Sequence, residues 1–298
     1  MCSSDLFIKI LLNIVLCGAF LGVMPVGADE EGVNSGETVE EHWLQVSQSI
    51  AEGFVFEPAS NEDPAKRFHR HEHPVFRHAQ PARGNDIGSV YLWLAEDKRP
   101  AVICTVFAWS DSETSRAVCF EAHSLTTTPL QLTSSDKRLW TSPTPGIEWK
   151  AFSHQVPPAV DDRRRKIQAR ELSRQLTAST TSPDNQRTEL RSIATPIYEY
   201  SSASAAISYG AVFALCDGTD TEVILMLEEI TASPTNSEQK PGWRYSLVPF
   251  TDYKVQVEYN RKQVWESPPV KYGEDGKPHM INYLESQPKP AIEVSKQQ

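Results

Sequence analysis

His73-Pro74-Val75-Phe76 followed by Gly88-Ser89-Val90-Tyr91 decides the reading of this chain, because the pattern is written twice. Its echo is Thr195-Pro196-Ile197-Tyr198 followed by Gly210-Ala211-Val212-Phe213, displaced by 122 positions at both landmarks (196 − 74 and 210 − 88). Farther on, Leu130-Gln131-Leu132 leading to Trp140-Thr141-Ser142-Pro143 returns as Val255-Gln256-Val257 leading to Trp265-Glu266-Ser267-Pro268, now offset by 125 (265 − 140). A shared order of Pro, Gly, Trp and Pro landmarks at a nearly fixed spacing implies a tandem duplication. The second copy therefore tests every motif found in the first.

Working outward, each copy reads as a helix followed by a strand meander. Val39, Trp43, Val46 and Ile50 fall at i, i+4, i+7 and i+11, an apolar stripe at helical spacing. Asn34 or Ser35 is suited to cap its start and Gly53 its end. The matching region, residues 161–180, opens on Asp161 and Asp162 and carries the thinner stripe Ala169, Leu172 and Leu176. Residues 89–94 and 101–109 flank a polar turn, and residues 211–216 and 222–230 flank Asp217-Gly218. Val118, Phe120 and Ala122 alternate with Cys119, Glu121 and His123, as in a strand with one buried face. The expected fold class is therefore α+β, two tandem repeats, each a helix packed on a mainly antiparallel β-sheet of about four to six strands. The expected divisions are a signal peptide at 1–28, an acidic linker at 29–36 and a first repeat at 37–143. A linker at 144–160, a second repeat at 161–268 and a disordered tail at 269–298, rich in proline, follow.

The N-terminus indicates the address. Lys9 precedes an apolar stretch broken mainly by Asn13, and Val26-Gly27-Ala28 offers small residues for cleavage before Asp29-Glu30-Glu31. That pattern predicts a secretory signal peptide, with a retained anchor as the alternative. The mature protein is expected to be exported, periplasmic or extracellular, touching membrane only through the signal peptide. A net charge of −10 disfavours nucleic acid and anionic lipid as partners. Cys104, Cys119 and Cys216 remain after cleavage, an odd number that argues against a disulfide framework. Cys104 and Cys119 are placed to pair across neighbouring strands, or else serve as small buried hydrophobes.

Two constellations carry candidate chemistry. His69-Arg70-His71-Glu72-His73 satisfies H-x-x-E-H, in which two histidines one helical turn apart hold zinc beside a glutamate base. The segment reads better as a strand, which would send His69, His71 and His73 to one side and Glu72 to the other, so these three are candidates for metal binding alone. The second constellation is Cys119, Glu121 and His123 on one strand face, where Glu121 and His123 have the residue types of an acid–base pair. The duplicate carries Arg244, Ser246 and Val248 there, so the trio is not required by the shared fold. A buried Glu121 would need a partner such as an arginine. Trp140 and Trp265 read as core residues closing strands before Ser-Pro, and Arg163-Arg164-Arg165-Lys166 as a solvated helix face. No Walker loop, nucleophile elbow, C-x-x-C or dinucleotide glycine pattern is present, and no cofactor is expected.

The phrases Glu121-Ala122-His123-Ser124-Leu125, Gly218-Thr219-Asp220-Thr221-Glu222-Val223 and Gly210-Ala211-Val212-Phe213-Ala214-Leu215 resemble those of a family of uncharacterised exported bacterial proteins. The resemblance spans most of residues 75–268 and implies an exported bacterial protein, with no activity or ligand attached. The expected function is an exported non-enzymatic binding or structural protein of the bacterial envelope, its ligand unknown. The alternatives are an extracellular hydrolase using Glu121 and His123, and a periplasmic metal binder using His69, His71 and His73.

Overall fold

The computed structural model describes residues 37–60, 67–80, 86–152, 157–231 and 241–294. The expected signal peptide and acidic linker lie outside these residues. The first half runs α1 (Val39–Glu52), β1 (Phe54–Pro58), β2 (His69–Arg70), β3 (Phe76–Gln80), β4 (Asp86–Leu94), β5 (Pro100–Ser110), β6 (Ser115–Ser124), β7 (Leu130–Ser134) and β8 (Lys137–Ser142). A short strand β9 (Lys150–Ala151) leads into α2 (Asp162–Arg174), β10 (Leu176–Thr181), β11 (Arg187–Glu189), β12 (Arg191–Ser192), β13 (Tyr198–Ser202), β14 (Ile207–Asp217), β15 (Asp220–Ile230), β16 (Gly242–Pro249), β17 (Lys254–Tyr259) and β18 (Lys262–Ser267). The strand β19 (His279–Pro288) and a single helical turn, α3 (Ala291–Val294), complete the described chain.

Among the described residues strand outweighs helix, 53% against 13%, which overturns the expected α+β class. The protein is mostly β. Each half builds not one sheet but two. In the first half a small sheet, β1-β7-β8, accompanies a large one, β19-β6-β5-β4-β2, with β3 also on β4. In the second half the corresponding sheets are β11-β10-β17-β18 and β12-β14-β15-β16-β9, with β13 also on β14. All pairings are antiparallel. The sequence reading missed the small sheets because β1, β7 and β10 are short, and it gave the helix a whole layer that it shares with them.

Local chemistry explains the helices. Thr38 caps α1: its hydroxyl accepts from the Glu41 backbone N–H at 3.1 Å while the Glu41 carboxylate accepts from the Thr38 N–H at 2.8 Å. This reciprocal box satisfies two of the donors a helix start leaves open, so Thr38 takes the role expected of Asn34 or Ser35, and Gly53 ends the helix as expected. Asp161 caps α2 by accepting from the Arg164 N–H at 2.9 Å. Within the basic run, Arg165 reaches Asp162 and Glu229, and Lys166 reaches Glu199.

Three apolar clusters hold the layers together. In the first half, Trp43 and Ala51 of α1, with Phe54, Phe56, Leu130, Leu132 and Trp140 of the small sheet, cover Tyr91, Trp93, Val102, Val106 and Phe120 of the large sheet. Trp140 is fully buried, as expected, and its indole N–H donates to the Lys277 carbonyl at 2.9 Å. The second half repeats the arrangement with Ala169, Leu172, Leu176 and Val257 over Phe213, Leu225 and Tyr245. The opposite faces of the two large sheets then meet: Val90, Leu92 and Ile103 pack against Val212, Ile224, Met226 and Val248. Both faces of β4, β5, β14 and β15 are therefore dry, which is why these strands read as continuous apolar runs rather than alternating ones. Each fully buried aliphatic side chain in this seam contributes about 1.5–3 kcal/mol.

The segments expected to be linker and tail are structural. Lys150 and Ala151 of β9, inside 144–160, pair with Tyr245 and Arg244 on the edge of the second large sheet. β19, inside the tail expected to be disordered, pairs with β6 along its length, from His279 opposite His123 to Pro288 opposite Ser115. Each half thus sends its last strand into the sheet of the other. After β19, Glu293 of α3 receives Arg116 Nε and Nη2 at 2.8–3.1 Å and the Trp43 indole N–H at 2.9 Å. Arg116 is 0% exposed, so this anchor is a buried charge pair. The low apolar content of 269–298 concealed it, because backbone pairing and charge hold the segment, with Met280 and Leu284 its apolar contribution to the first-half core.

Candidate functional site

The seam between the large sheets is apolar at its centre and polar at both ends, and the two ends differ. At one end lies a cleft of about 490 Å³. The first half lines it with His78 (β3), Asp86 (β4), Thr105, Phe107 and Trp109 (β5) and Glu121 (β6). The second half and the tail add Asp220, Glu222, Phe250, Asp252, Tyr253 and Tyr272. No lysine or arginine is among the described residues lining it.

The sequence builds this cleft in identifiable steps. His78 lies opposite Gly88 in the β3–β4 pair. A Cβ on Gly88 would stand 2.5 Å from His78 Nε2 and 2.6 Å from Phe107 Cβ, so glycine is what lets the imidazole lie across the strand. His78 is buried, and its Nε2 meets the Thr105 hydroxyl at 3.3 Å. The β14–β15 turn brings the other half in. Thr219 donates its hydroxyl to the Ala79 carbonyl at 2.7 Å, and the Gln80 amide donates to the Asp217 carbonyl at 2.9 Å. Gly218 takes the left-handed conformation this turn needs, at φ +59°. The docked turn sets Asp220 Oδ1 3.8 Å from His78 Nδ1. One ligating atom each from His78, Asp86 and Asp220 then lies within 4.8 Å of the others.

The other end of the seam is arranged on the same plan and closed. Tyr200 takes the place of His78, lying over Gly210, where a Cβ would stand 2.4 Å from the ring. Its phenol O–H donates to Glu228 Oε1 at 2.8 Å, and Arg244 donates to Glu228 Oε2 through Nε at 2.8 Å and Nη2 at 2.5 Å. Arg244 also stacks over Trp149 at 4.3 Å. Burial, with the Glu228 charge next, holds the Tyr200 phenol well above its ordinary pKa, so it remains a donor. The β4–β5 turn docks here as the β14–β15 turn does at the open end, but Asp97 is occupied by Ser202 at 2.7 Å and by Arg99 at 2.7 Å. The space left is about 210 Å³.

The expected catalytic pair is split. Glu121 faces the acidic cleft, and its Oε1 meets Nε2 of His279 at 2.6 Å. Among the described residues, this buried carboxylate meets a histidine from the tail. His123 and His279 line a different cleft, of about 690 Å³, with Trp265 and Glu148. Burial pushes the His123 pKa down to about 4, and its Nδ1–H donates to the Ser124 carbonyl at 2.8 Å. Burial, and then the neighbouring His123, holds His279 well below the usual imidazole range, so a neutral ring donates to the Glu121 carboxylate. His279 is not legible in the sequence because its proline-rich, weakly apolar tail reads as structureless, whereas the pairing that delivers it is non-local.

His69, His71 and His73 are not brought together around one point. β2 ends at Arg70, with His69 opposite Leu94, so the helix that H-x-x-E-H chemistry requires is not formed. His71 turns its Nδ1–H onto the His73 carbonyl at 2.9 Å and sits edge-on to Tyr198, while His69 and His73 are exposed. Cys104, Cys119 and Cys216 are free and buried. Cys104 packs in the first-half core, while Cys119 shares the opposite face of the sheet with Glu121, so the two cannot pair. No protein-family model, curated protein or solved structure matches the chain.

Proposed function

We propose that the protein is an exported, non-enzymatic binding protein that holds a small cationic ligand in the acidic cleft between its halves. The halves are read as duplicated copies, on the shared landmarks and the shared order of elements, one of which kept its end of the seam closed. The observation that carries the reading is the set of residues lining the open cleft. At the closed end Tyr200, Glu228, Arg244 and Trp149 satisfy one another within the chain. At the open end five carboxylates and His78 converge beside Phe107, Trp109, Tyr253 and Tyr272, without a lysine or arginine among the described lining residues. Carboxylates in a partly dry cleft favour positive charge, and the aromatic faces add cation–π attraction.

The test is calorimetric titration of the full chain with zinc chloride, spermidine and a neutral disaccharide. At least one cation is expected to bind and the disaccharide not to. Asp220→Asn combined with Glu222→Gln should weaken that binding about tenfold, equivalent to about 1.4 kcal/mol. Binding of neither cation, or cation binding unchanged in the double variant, refutes the reading.

A further inference from the structure

The geometry points to a divalent transition-metal site at His78, Asp86 and Asp220. This deepens the reading of the cleft as a cation site and rests on it. Three features favour a metal ion over a diffuse cationic ligand. The donors come from three strands, β3, β4 and β15, so two of them are fixed by the first half and one by the second. Their ligating atoms already lie within 4.8 Å of one another, with His78 Nδ1 and Asp220 Oδ1 3.8 Å apart. A metal with bonds of about 2.0–2.2 Å to nitrogen and oxygen would draw them together by roughly an ångström or less. The third feature is the partner of the far imidazole nitrogen. Thr105 Oγ1 lies 3.3 Å from His78 Nε2. If Nε2 carries the proton and donates to Thr105, Nδ1 presents its lone pair to the two aspartates, the arrangement that orients a metal-bound histidine.

The ligand set also selects among metals. One imidazole and two carboxylates suit zinc, manganese or iron(II), whereas calcium and magnesium prefer oxygen alone. The site is built by the fold and not by a local motif. His78 is seated by Gly88, and Asp220 is delivered by the docking of the β14–β15 turn on Ala79 and Gln80. The second copy lacks the set, with Tyr200 where the first has His78. A protonated His78 between two aspartates would instead make the same three residues an internal ion pair, indifferent to metal, and the experiment separates the two.

The full chain, carried without a histidine tag and freed of metal with a chelator, is titrated with zinc chloride, manganese(II) chloride and calcium chloride. One zinc per chain is expected, bound at least about tenfold more tightly than calcium. His78→Ala and Asp220→Asn should each weaken zinc binding about tenfold or more, and Thr105→Val about tenfold through the orientation of the ring. The triple change His69→Ala, His71→Ala, His73→Ala should leave it unchanged. X-ray absorption at the zinc edge of the unaltered chain should count one imidazole, a readout that does not depend on any variant folding. The assignment is overturned by absence of zinc uptake, by uptake that ignores both His78→Ala and Asp220→Asn, by loss of uptake in the triple variant, or by two or more imidazoles in the shell. Spermidine bound where zinc is not would overturn the metal site and leave the cationic cleft standing, whereas failure of both removes both.

Discussion

Removing one carboxylate at the C-terminus is expected to destabilise the first half from the inside. Arg116 is 0% exposed and delivers three hydrogen bonds of 2.8–3.1 Å to Glu293, with Nη1 donating to the Ala108 carbonyl at 3.1 Å and the guanidinium over the Trp43 ring at 5.4 Å. Glu293→Ala removes the carboxylate that this buried guanidinium and the Trp43 indole N–H both donate to. Breaking a buried pair from one side costs about 3–5 kcal/mol, whereas deleting an exposed carboxylate costs within about 0.5 kcal/mol. With a urea slope of about 3 kcal/mol/M, the midpoint should fall by more than about 1 M. The control is Glu285→Ala, an exposed site on β19, which should not move the midpoint measurably. Replacing both partners, Arg116→Met with Glu293→Leu, should recover part of the loss: the guanidinium is then no longer stranded, while the buried Lys289 ammonium still loses the Glu293 carboxylate 3.9 Å away. Urea unfolding followed by tryptophan fluorescence reads all four proteins. A midpoint for Glu293→Ala within about 0.3 M of the parent, equivalent to about 1 kcal/mol, would refute the reasoning.

Acid should unfold the protein earlier than its carboxylates alone require. The His123 pKa is about 4 in the fold against 6.5 in its absence, so the unfolded chain takes up the proton first; this stability is whole above pH 6.5 and is lost as pH falls toward 4, by about 3 kcal/mol. His279 adds to the loss in the same direction, and urea midpoints measured from pH 7.5 to 4.5 should fall less steeply in His123→Gln; equal slopes would count against it. Gly210→Ala should cost about 1–3 kcal/mol, since its Cβ would stand 2.4 Å from the Tyr200 ring, whereas Gly53→Ala, with its nearest atom at 3.4 Å, should be nearly silent in thermal unfolding. Burial raises the Cys119 and Cys216 pKa values to about 11 and 12 and holds Cys104 well above its ordinary value. A maleimide at pH 8, mapped by mass spectrometry, should therefore label these three only after denaturant is added, and labelling of the native protein at any of them would contradict their burial.

The parts of the fold legible in the sequence are those set by neighbours along the chain. The stripe of α1, the turn at Asp217-Gly218 and the alternation of β6 follow from spacing of about four residues or of two. The small sheets were missed because strands such as Phe54–Pro58 have a partner, Leu130–Ser134, some seventy-five positions away, and five residues do not announce a distant pairing. The site was less legible still. Glu121 stands out in the sequence as an acid–base candidate beside His123; in the fold it is buried, and it meets His279, 158 residues on, rather than His123 two positions along the strand. Asp220 read as part of a turn, and nothing local shows that the turn docks beside His78. His69, His71 and His73 drew attention because they are adjacent in sequence, while the histidine that the fold surrounds with aspartates is a solitary one.

The reciprocal exchange of last strands has a consequence for the order in which the protein can form during synthesis. β6 leaves the ribosome with one edge open, and the strand that closes it starts at His279, opposite His123. At about 5–20 residues per second, the 158 residues separating Glu121 from its partner histidine take roughly 8–32 s to make. Throughout that interval the first half exposes an unpaired strand edge and a buried-site arginine without its glutamate. An early termination product would keep both defects indefinitely, with a sheet edge ready to recruit another chain. Residues 279–294 therefore complete the first half, closing the β6 edge and supplying the carboxylate that Arg116 meets.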